Sequence, residues 1–291
     1  MEQVVEGMPR RPANGRLVDK VVLVIGAGSS GPGWGLGRAA SALFAREGAR
    51  VFAVDRDAAA VDETRRLIVA DGGSCATAVA DATSLANMEQ AVQDCVARFG
   101  RVDVLHFNVG AGGTGDAVNT TEEVWRASLD LNLTSAFLAC KCVLPIMLAQ
   151  GKGSIIHVGS IAAVRYPGIS TLAYSVAKAG LLQLSRSIAL QYARAGVRSN
   201  YLLLGHVDTP EIRRRIAERF GNARFDEVMA ARADVVPAGR PATVWDVAQA
   251  AVFLASDESA YITGTEMPVD GGVMSMSVES YLKKVDPPQT P

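Results

Sequence analysis

The stretch VVLVIGAGSSGPGWGLG, residues 21–37, decides the fold class. It opens with a continuous run of β-branched and aliphatic residues, Val21 to Ile25, which is typical of a strand buried on both faces of a parallel sheet. A glycine-rich loop follows, and then a helical pattern that ends near Glu47, with Gly48 as the stop signal. A strand, a glycine-rich loop and a helix in this order predict the first unit of an alternating α/β sheet.

The same alternation continues along the chain. Further strand patterns occur at 51–54, 75–80, 102–107, 155–158, 197–204 and 266–269. Further helical patterns occur at 58–70, between Ser84 and Gly100, from about 120 to 150, at about 173–194, in the charged stretch 210–232 and at about 243–255. Thr120 and Glu123 have the spacing of a capping box that opens the long helix, and Pro145 should kink or split it. These patterns predict a doubly wound parallel sheet with right-handed crossovers.

Composition and charge exclude several classes of protein. The chain has 291 residues, is 49% hydrophobic and carries a formal net charge of −1, whereas disordered chains combine low hydrophobicity with high net charge. The near-zero charge argues against nucleic acid as a partner, because phosphate binding needs clustered Lys and Arg. Four cysteines match no zinc spacing, so we expect reduced thiols and no metal site. With no apolar run of membrane-spanning length and no secretory signal, we expect a cytoplasmic protein that does not bind membranes.

The glycine-rich loop is a candidate phosphate-binding element. Glycines let the backbone approach a pyrophosphate closely, and the helix that follows offers free N–H groups at its N-terminus. Asp55 ends the second strand, twenty residues beyond Gly35, where a carboxylate can accept both hydroxyls of an adenosine ribose. The alternative is a flexible turn and a solvated carboxylate without a ligand. The loop residues that we expect to contact a dinucleotide are Gly26, Gly28, Ser30, Gly35 and Leu36.

A second candidate site lies further along the chain. Tyr174 and Lys178 are four residues apart on a predicted helix and therefore share one face. The ammonium group should lower the pKa of the phenol, which could then exchange a proton with an alcohol or ketone oxygen. Ser160 ends the fifth strand, at the carboxyl edge where open α/β sheets bind ligands, and its hydroxyl could hold that oxygen.

These residues together resemble the short-chain dehydrogenases/reductases, over about Val18 to Gly272. The matching features are the glycine loop, Asp81-Ala-Thr83, Asn108-Val-Gly110, Asn132 in Leu-Asn-Leu, Ser160, the Tyr174/Lys178 pair, Gly205-His-Val-Asp-Thr-Pro210 and Val269-Asp-Gly-Gly272. The resemblance implies a single Rossmann-fold domain at 17–273, with 210–232 as a substrate lid and tails at 1–16 and 274–291.

The resemblance also implies catalytic roles. Tyr174 would be the general acid/base, and Lys178 would hold the nicotinamide ribose and favour the phenolate of Tyr174. Ser160 would orient the reacting oxygen, and Asn132 would support a water-mediated proton relay to Lys178. The residues implied as further cofactor contacts are Asp81 and Ala82 at the adenine, Asn108, Val109 and Gly110 along the cofactor, and Val207 and Thr209 at the carboxamide.

The chain departs from the family pattern in its glycine loop. Gly26 to Gly35 is about five residues longer than the usual spacing. Trp34, within the excess, either packs against a neighbouring element or borders the cofactor. His106 and His157 lie inside predicted strands and are expected to be core histidines, whereas His206 follows Gly205 at a strand end.

The sequence leaves the substrate and the coenzyme partly open. We expect an NAD-dependent enzyme that interconverts a secondary alcohol and a ketone, and a homotetramer, by analogy with related enzymes. His206 and Arg165 are candidate substrate contacts. Asp55 favours NAD because it would repel the extra phosphate of NADP. Arg56 favours NADP instead, because its positive charge could accept that phosphate, so an NADP-dependent carbonyl reductase is the alternative.

Two other classes remain possible on the residues alone. A sugar-nucleotide epimerase or dehydratase also uses Tyr-x-x-x-Lys, but such chains usually carry a longer C-terminal substrate domain than the roughly 20 residues after Gly272. A cofactor-binding protein without catalysis is disfavoured by the intact set of Ser160, Tyr174, Lys178 and Asn132.

Overall fold

A computed structural model describes residues 14–277 of the chain. Its seven described strands form one parallel sheet in the order β3-β2-β1-β4-β5-β6-β7. They are β1 (Val21–Ile25), β2 (Arg50–Asp55), β3 (Ser74–Val79), β4 (Val104–Phe107), β5 (Gly153–Val158), β6 (Val197–Leu204) and β7 (Glu266–Val269). The strand order reverses between β1 and β4, so ligand-binding loops are expected at the carboxyl edge beside these two strands.

Helices cover both faces of the sheet. They are α1 (Leu36–Arg46), α2 (Ala58–Ala70), α3 (Leu85–Phe99), α4 (Glu122–Leu129), α5 (Ser135–Gln150), α6 (Leu172–Tyr192), α7 (Pro210–Phe220), α8 (Phe225–Asp234) and α9 (Val244–Ala255). Two apolar cores result, one under α3, α5 and α6 and the other under α1 and α9. The predicted doubly wound parallel sheet is therefore confirmed.

The long helical pattern at 120–150 is divided at a different place from the one predicted. Residues Asp130–Thr134 form a five-residue π-helical turn between α4 and α5, whereas Pro145 lies inside the continuous helix α5. The predicted capping box is also displaced, because Thr121 caps α4 by accepting a hydrogen bond from the Val124 N–H. Thr120 instead donates its hydroxyl proton to the carbonyl of Asp116.

The combined helix from Glu122 to Gln150 corrects one sequence expectation. Its 29 residues are long and apolar enough to cross a membrane by length and composition alone. In the fold, however, this helix packs on the sheet and buries Ala139, Val143 and Met147. Packing on the core therefore accounts for one face of this helix, whereas Phe137 and Leu148 on it remain exposed.

Some residues of both predicted tails contact the folded domain, as far as the described residues show. Arg16 pairs with the buried carboxylate of Glu47 at 2.7 Å, and the Asn14 N–H donates to the same carboxylate. Met274 packs against the core beyond β7. The remainder of the two predicted tails, 1–13 and 278–291, lies outside the described residues.

Candidate active site

The glycine-rich loop joins β1 to α1 at the carboxyl edge of the sheet. Gly26 has φ of +82°, a left-handed conformation that glycine adopts without strain. A Cβ atom at Gly37 would overlap the carbonyl group of Gly26, so a glycine is required where α1 passes under the loop. Gly35 precedes α1 without any side-chain cap, which leaves the first N–H groups of the helix for another acceptor. This N-terminus suits the pyrophosphate of a dinucleotide.

The excess residues of the loop are anchored by Arg38 and Trp34. The buried guanidinium of Arg38 donates to the carbonyl of Gly33 at 2.6 Å and to the Thr64 hydroxyl at 3.2 Å. Burial lowers the pKa of Arg38. The Trp34 ring packs against Trp245 of α9, with 4.9 Å between the centroids, which matches the packing interpretation of this residue. No sequence pattern indicates the role of Arg38, because an arginine after a glycine motif is typical of a surface charge.

Asp55 meets the loop from the end of β2. Its Oδ2 atom accepts a hydrogen bond from the Gly28 N–H at 2.8 Å, and its Oδ1 atom accepts one from the Asp57 N–H at 3.1 Å. The carboxylate is therefore held at the inner side of the loop, where the adenosine ribose was expected. Within the same loop Ser30 is exposed and Leu36 is the first residue of α1.

The residues expected at the adenine lie on the turn after β3. The Asp81 carboxylate accepts hydrogen bonds from the Thr83 N–H and hydroxyl, and these bonds hold the pKa of Asp81 below its usual range, with Arg56 nearby acting in the same direction. Ala82 is buried beside them.

The end of β4 connects the two halves of the site. Asn108 donates its side-chain N–H to the carbonyl of Gly26 at 2.9 Å, and Val109 contacts the same glycine. At Gly110, an added Cβ atom would lie 2.8 Å from Asn132 Oδ1 and 2.9 Å from Lys178 Nζ. This glycine therefore lets both side chains approach the backbone.

The four predicted catalytic side chains meet at this point. Asn132, fully buried in the π-helical turn, exchanges two hydrogen bonds with the backbone of Ala111, each of 3.1 Å. Lys178, buried in α6, donates to the carbonyl of Val158 at 3.0 Å. Ser160 follows β5, its hydroxyl accepts a hydrogen bond from the Ala162 N–H at 3.1 Å, and it lies close enough to the Tyr174 phenol to act on the pKa of that group.

The electrostatics of Tyr174 differ from the expectation. Burial raises the pKa of Tyr174, while the hydrogen bond from Ser160 and the positive charge of Arg215 act in the opposite direction. Lys178 does not lower it, because its ammonium group is drawn to the Val158 carbonyl and lies 5.8 Å from the centre of the phenol ring. Burial also lowers the pKa of Lys178 to about 8.

Tyr201 is a supporting residue that the sequence reading missed. This fully buried side chain of β6 accepts a hydrogen bond from the Ser160 N–H at 2.9 Å and donates to the carbonyl of Lys178 at 3.2 Å. Its ring occupies the space that a Cβ atom at Gly159 would fill. One phenol therefore ties the Ser160 turn to the helix that carries Tyr174 and Lys178.

The loop after β6 carries the other predicted contacts. Val207 is buried and bridges to Ala242, and the Thr209 hydroxyl caps α7 by accepting from the Ile212 N–H at 3.2 Å. His206 is largely buried, burial lowers its pKa to about 4, and its Nε2 atom has no partner among the described residues. Each residue lies at the carboxyl edge, as expected.

Arg165 is placed differently from the other candidate substrate contacts. Its two terminal nitrogens donate to the carbonyls of Val273 at 2.6 Å and Met276 at 2.7 Å. The guanidinium therefore fastens the segment after β7, and its contact with substrate stays a prediction that would require these bonds to open.

Comparisons with known proteins agree with this geometry. A family model described as enoyl-(acyl carrier protein) reductase matches residues 31–274. The chain is 35% identical over 265 residues to 2-keto-3-deoxy-L-fuconate dehydrogenase of Xanthomonas campestris, covering 91% of this chain and 83% of the relative. It is 33% identical to 2-(S)-hydroxypropyl-CoM dehydrogenase 3 of Xanthobacter autotrophicus, covering 90% and 99% of the two chains.

A solved structure extends the likeness to three dimensions. The crystal structure of a short-chain dehydrogenase/reductase from Burkholderia xenovorans is 45% identical, with a TM-score of 0.87 and coverage of 90% of this chain and 99% of that one. Enzymes of this kind use a nicotinamide cofactor and act on CH–OH groups or the corresponding carbonyls. The chain belongs to the short-chain dehydrogenase/reductase family.

Proposed function

We propose that this enzyme uses NAD to interconvert a secondary alcohol and a ketone, with Tyr174 as the general acid/base. The observation that carries this proposal is the meeting of the Ser160 hydroxyl, the Tyr174 phenol and the buried Lys178 beside the glycine loop. The names of relatives support the substrate class, since 2-(S)-hydroxypropyl-CoM dehydrogenase is named for a secondary alcohol.

Each side chain of the candidate active site has a separate role in the proposed reaction. When bound, the nicotinamide supplies hydride exchange with the carbon that carries the reacting oxygen. Ser160 donates a hydrogen bond to that oxygen and holds it at the Tyr174 phenol. Tyr174 accepts the proton of an alcohol during oxidation, or donates one to a ketone oxygen during reduction. Lys178 and Asn132 form the buried polar end of the site, from which protons can return to Tyr174.

Asp55 is the basis for choosing NAD. Its carboxylate lies against the Gly28 N–H, at the place proposed for the adenosine ribose. The additional phosphate of NADP would bring a second negative charge there. Two unit charges about 4 Å apart repel by about 4 kcal/mol at an effective dielectric of 20. Half of that energy still corresponds to more than tenfold discrimination between NAD and NADP. Because cells keep NAD mostly oxidised, we propose alcohol oxidation as the physiological direction.

The coenzyme preference can be tested by substituting two neighbouring carboxylates, Asp55 and Asp57, one at a time. We expect wild type to prefer NAD by at least tenfold in kcat/KM, and Asp55→Ser to narrow this gap mainly by admitting NADP. Asp57→Ser is the matched control, because Asp57 caps α2 through the Ala60 N–H and serine can keep that cap. Equal use of both coenzymes by wild type would contradict the role of Asp55.

An NADP-dependent carbonyl reductase is the second candidate, and Arg56 favours it. This exposed arginine follows Asp55, and its charge acts on the Asp81 carboxylate. It could bind a phosphate only if Asp55 moved away from Gly28. Loss of NADP activity in Arg56→Gln without any change with NAD would establish this alternative.

We also propose a homotetramer in the cytoplasm. Apolar side chains remain exposed on the outer faces of α5 and α6, with Phe137 49% and Leu190 82% exposed. Exposed apolar helix faces favour association. The four free cysteines are consistent with a reducing compartment.

A further inference from the structure

The arginines of the proposed lid differ in what their guanidinium groups contact. Arg213 pairs with Asp208 through Nε at 2.7 Å. Arg214 pairs with both Glu211 and Glu218, within or next to one turn of α7. Arg224 pairs with Glu227 at the start of α8. These contacts are local, and the charges of these arginines are already matched by carboxylates.

Arg215 also pairs with a carboxylate, but through its Nε atom alone. Its Nε atom donates to Glu211 Oε1 at 2.6 Å, which fixes the plane of the guanidinium. Among residues 14–277, this is the one hydrogen bond that Arg215 makes, so Nη1 and Nη2 have no acceptor there. About a third of the side chain remains exposed to solvent. The anchored side chain thus presents a fork of N–H donors away from α7.

That fork lies against a loop that also carries residues of the candidate active site. A Cβ atom at Gly112 would lie 3.2 Å from Arg215 Nη1, so the arginine reaches the loop that follows β4. Two residues earlier on this loop, Gly110 touches Asn132 and Lys178. Burial raises the pKa of Tyr174, and the positive charge of Arg215 acts in the opposite direction, which places this charge within electrostatic reach of the phenol.

We propose that Arg215 binds a carboxylate group of the substrate, so that the enzyme acts on hydroxy acids or the corresponding oxo acids. The inference rests on the proposed function, because Tyr174 would hold the reacting oxygen while Arg215 holds the anionic end. A planar carboxylate can accept two N–H bonds from one guanidinium, which suits the two unengaged nitrogens. The absence of a side chain at Gly112 lets the guanidinium approach the loop that follows β4.

The size of the effect follows from the strength of charged hydrogen bonds. Such bonds contribute enough to change an equilibrium by about 10- to 100-fold when one partner is removed. The contact is made before and during the reaction, so its loss should appear mainly in KM rather than kcat. An uncharged substrate of the same shape should lose less activity, because it loses only the electrostatic effect of Arg215 on the Tyr174 phenol.

The test compares hydroxy acids with their own methyl esters. The series places one to four carbons between the carbinol and the carboxylate, and kcat/KM is measured with NAD for wild type, Arg215→Gln, Arg215→Lys and the control Arg214→Gln. We expect wild type and Arg214→Gln to prefer one acid over its ester. Arg215→Gln should lose at least tenfold on that acid, mainly through KM, and should lose much less on the ester. Arg215→Lys, which retains the charge without the fork, should fall between the two.

Binding provides a second readout that does not need turnover. The best acid should raise the Tm of NAD-loaded wild type and Arg214→Gln, but not that of Arg215→Gln. The proposal is overturned if Arg215→Gln responds to acids as wild type does, if acid and ester lose activity equally, or if no acid in the series stabilises wild type. Failure of the proposed function looks different, since neither NAD binding nor turnover of acids or esters would then be seen.

Discussion

Removal of one hydroxyl group, in Tyr201→Phe, should impair both stability and catalysis. The substitution leaves the ring in place beside Gly159 but removes the acceptor of the Ser160 N–H and the donor to the Lys178 carbonyl. A partly buried N–H left without a partner costs about 1–3 kcal/mol of unfolding free energy. The carbonyl of Lys178 lies within α6 and can keep its helical partner, so the Ser160 side should account for most of this loss.

The substitution should also reduce turnover, because the turn that carries Ser160 loses its hydrogen bond to Tyr201. Without its anchor, Ser160 shifts relative to Tyr174, and a displacement of about 1 Å can reduce turnover by about 100-fold. We expect kcat to fall by 10- to 100-fold, with the KM for NAD unchanged, because the glycine loop does not contact Tyr201. Urea unfolding and steady-state kinetics measure the two effects, and Tyr261→Phe, on a fully exposed tyrosine, is the control. If Tyr201→Phe unfolds and turns over as wild type does, the positioning role is refuted.

Three further predictions concern the proton donor, the buried histidines and assembly. Tyr174→Phe should lose about 10²–10⁴ in kcat and still bind NAD, as measured by fluorescence titration; a kcat within threefold of wild type would contradict the assignment. Burial lowers the pKa of His106 and of His157 to about 3. The free energy of unfolding should therefore have its full value above pH 6.5 and decrease on acidification, by up to about 1.4 kcal/mol per pH unit for each imidazole. His106→Leu should flatten this slope in urea titrations at pH 5 and 6.5, and an unchanged slope would argue against it. Phe137→Glu should dissociate the tetramer in light scattering, and a wild-type monomer at micromolar concentration would refute the assembly itself.

The sequence was sufficient to predict the parallel sheet and the elements that carry the candidate site residues. Strand and helix periodicity placed Asp55 and Ser160 at the ends of strands and Lys178 on a helix, because buried parallel strands and glycine stops leave strong local signals. Tyr201 was missed as a supporting position, and Arg215 was not distinguished from the other arginines of the segment 210–232, for a shared reason. Their partners are 41 residues away in Ser160 and about a hundred residues away in Gly112, and such contacts arise only when the sheet is assembled.

The electrostatic expectation failed for a related reason. Helical spacing correctly brought Tyr174 and Lys178 to one face, but spacing does not reveal which acceptor the ammonium group finds. The carbonyl of Val158, on a neighbouring strand, takes that hydrogen bond. Burial then dominates the pKa of both groups, and burial is a property of the packed structure rather than of the pattern.

The π-helical turn at Asp130–Thr134 constrains how the chain length can vary during divergence. A π-helical turn holds about one residue more than an α-helical turn, so removal of one residue here would give a regular α-helix and leave α5 near its place on the sheet. Asn132, however, would lose the turn that brings its side chain to the backbone of Ala111. The glycine loop has accepted several extra residues, since Arg38 and Trp34 hold them at the surface. The helical turn has no such freedom, because a single deletion there would displace Asn132 from the candidate active site even where α5 keeps its packing.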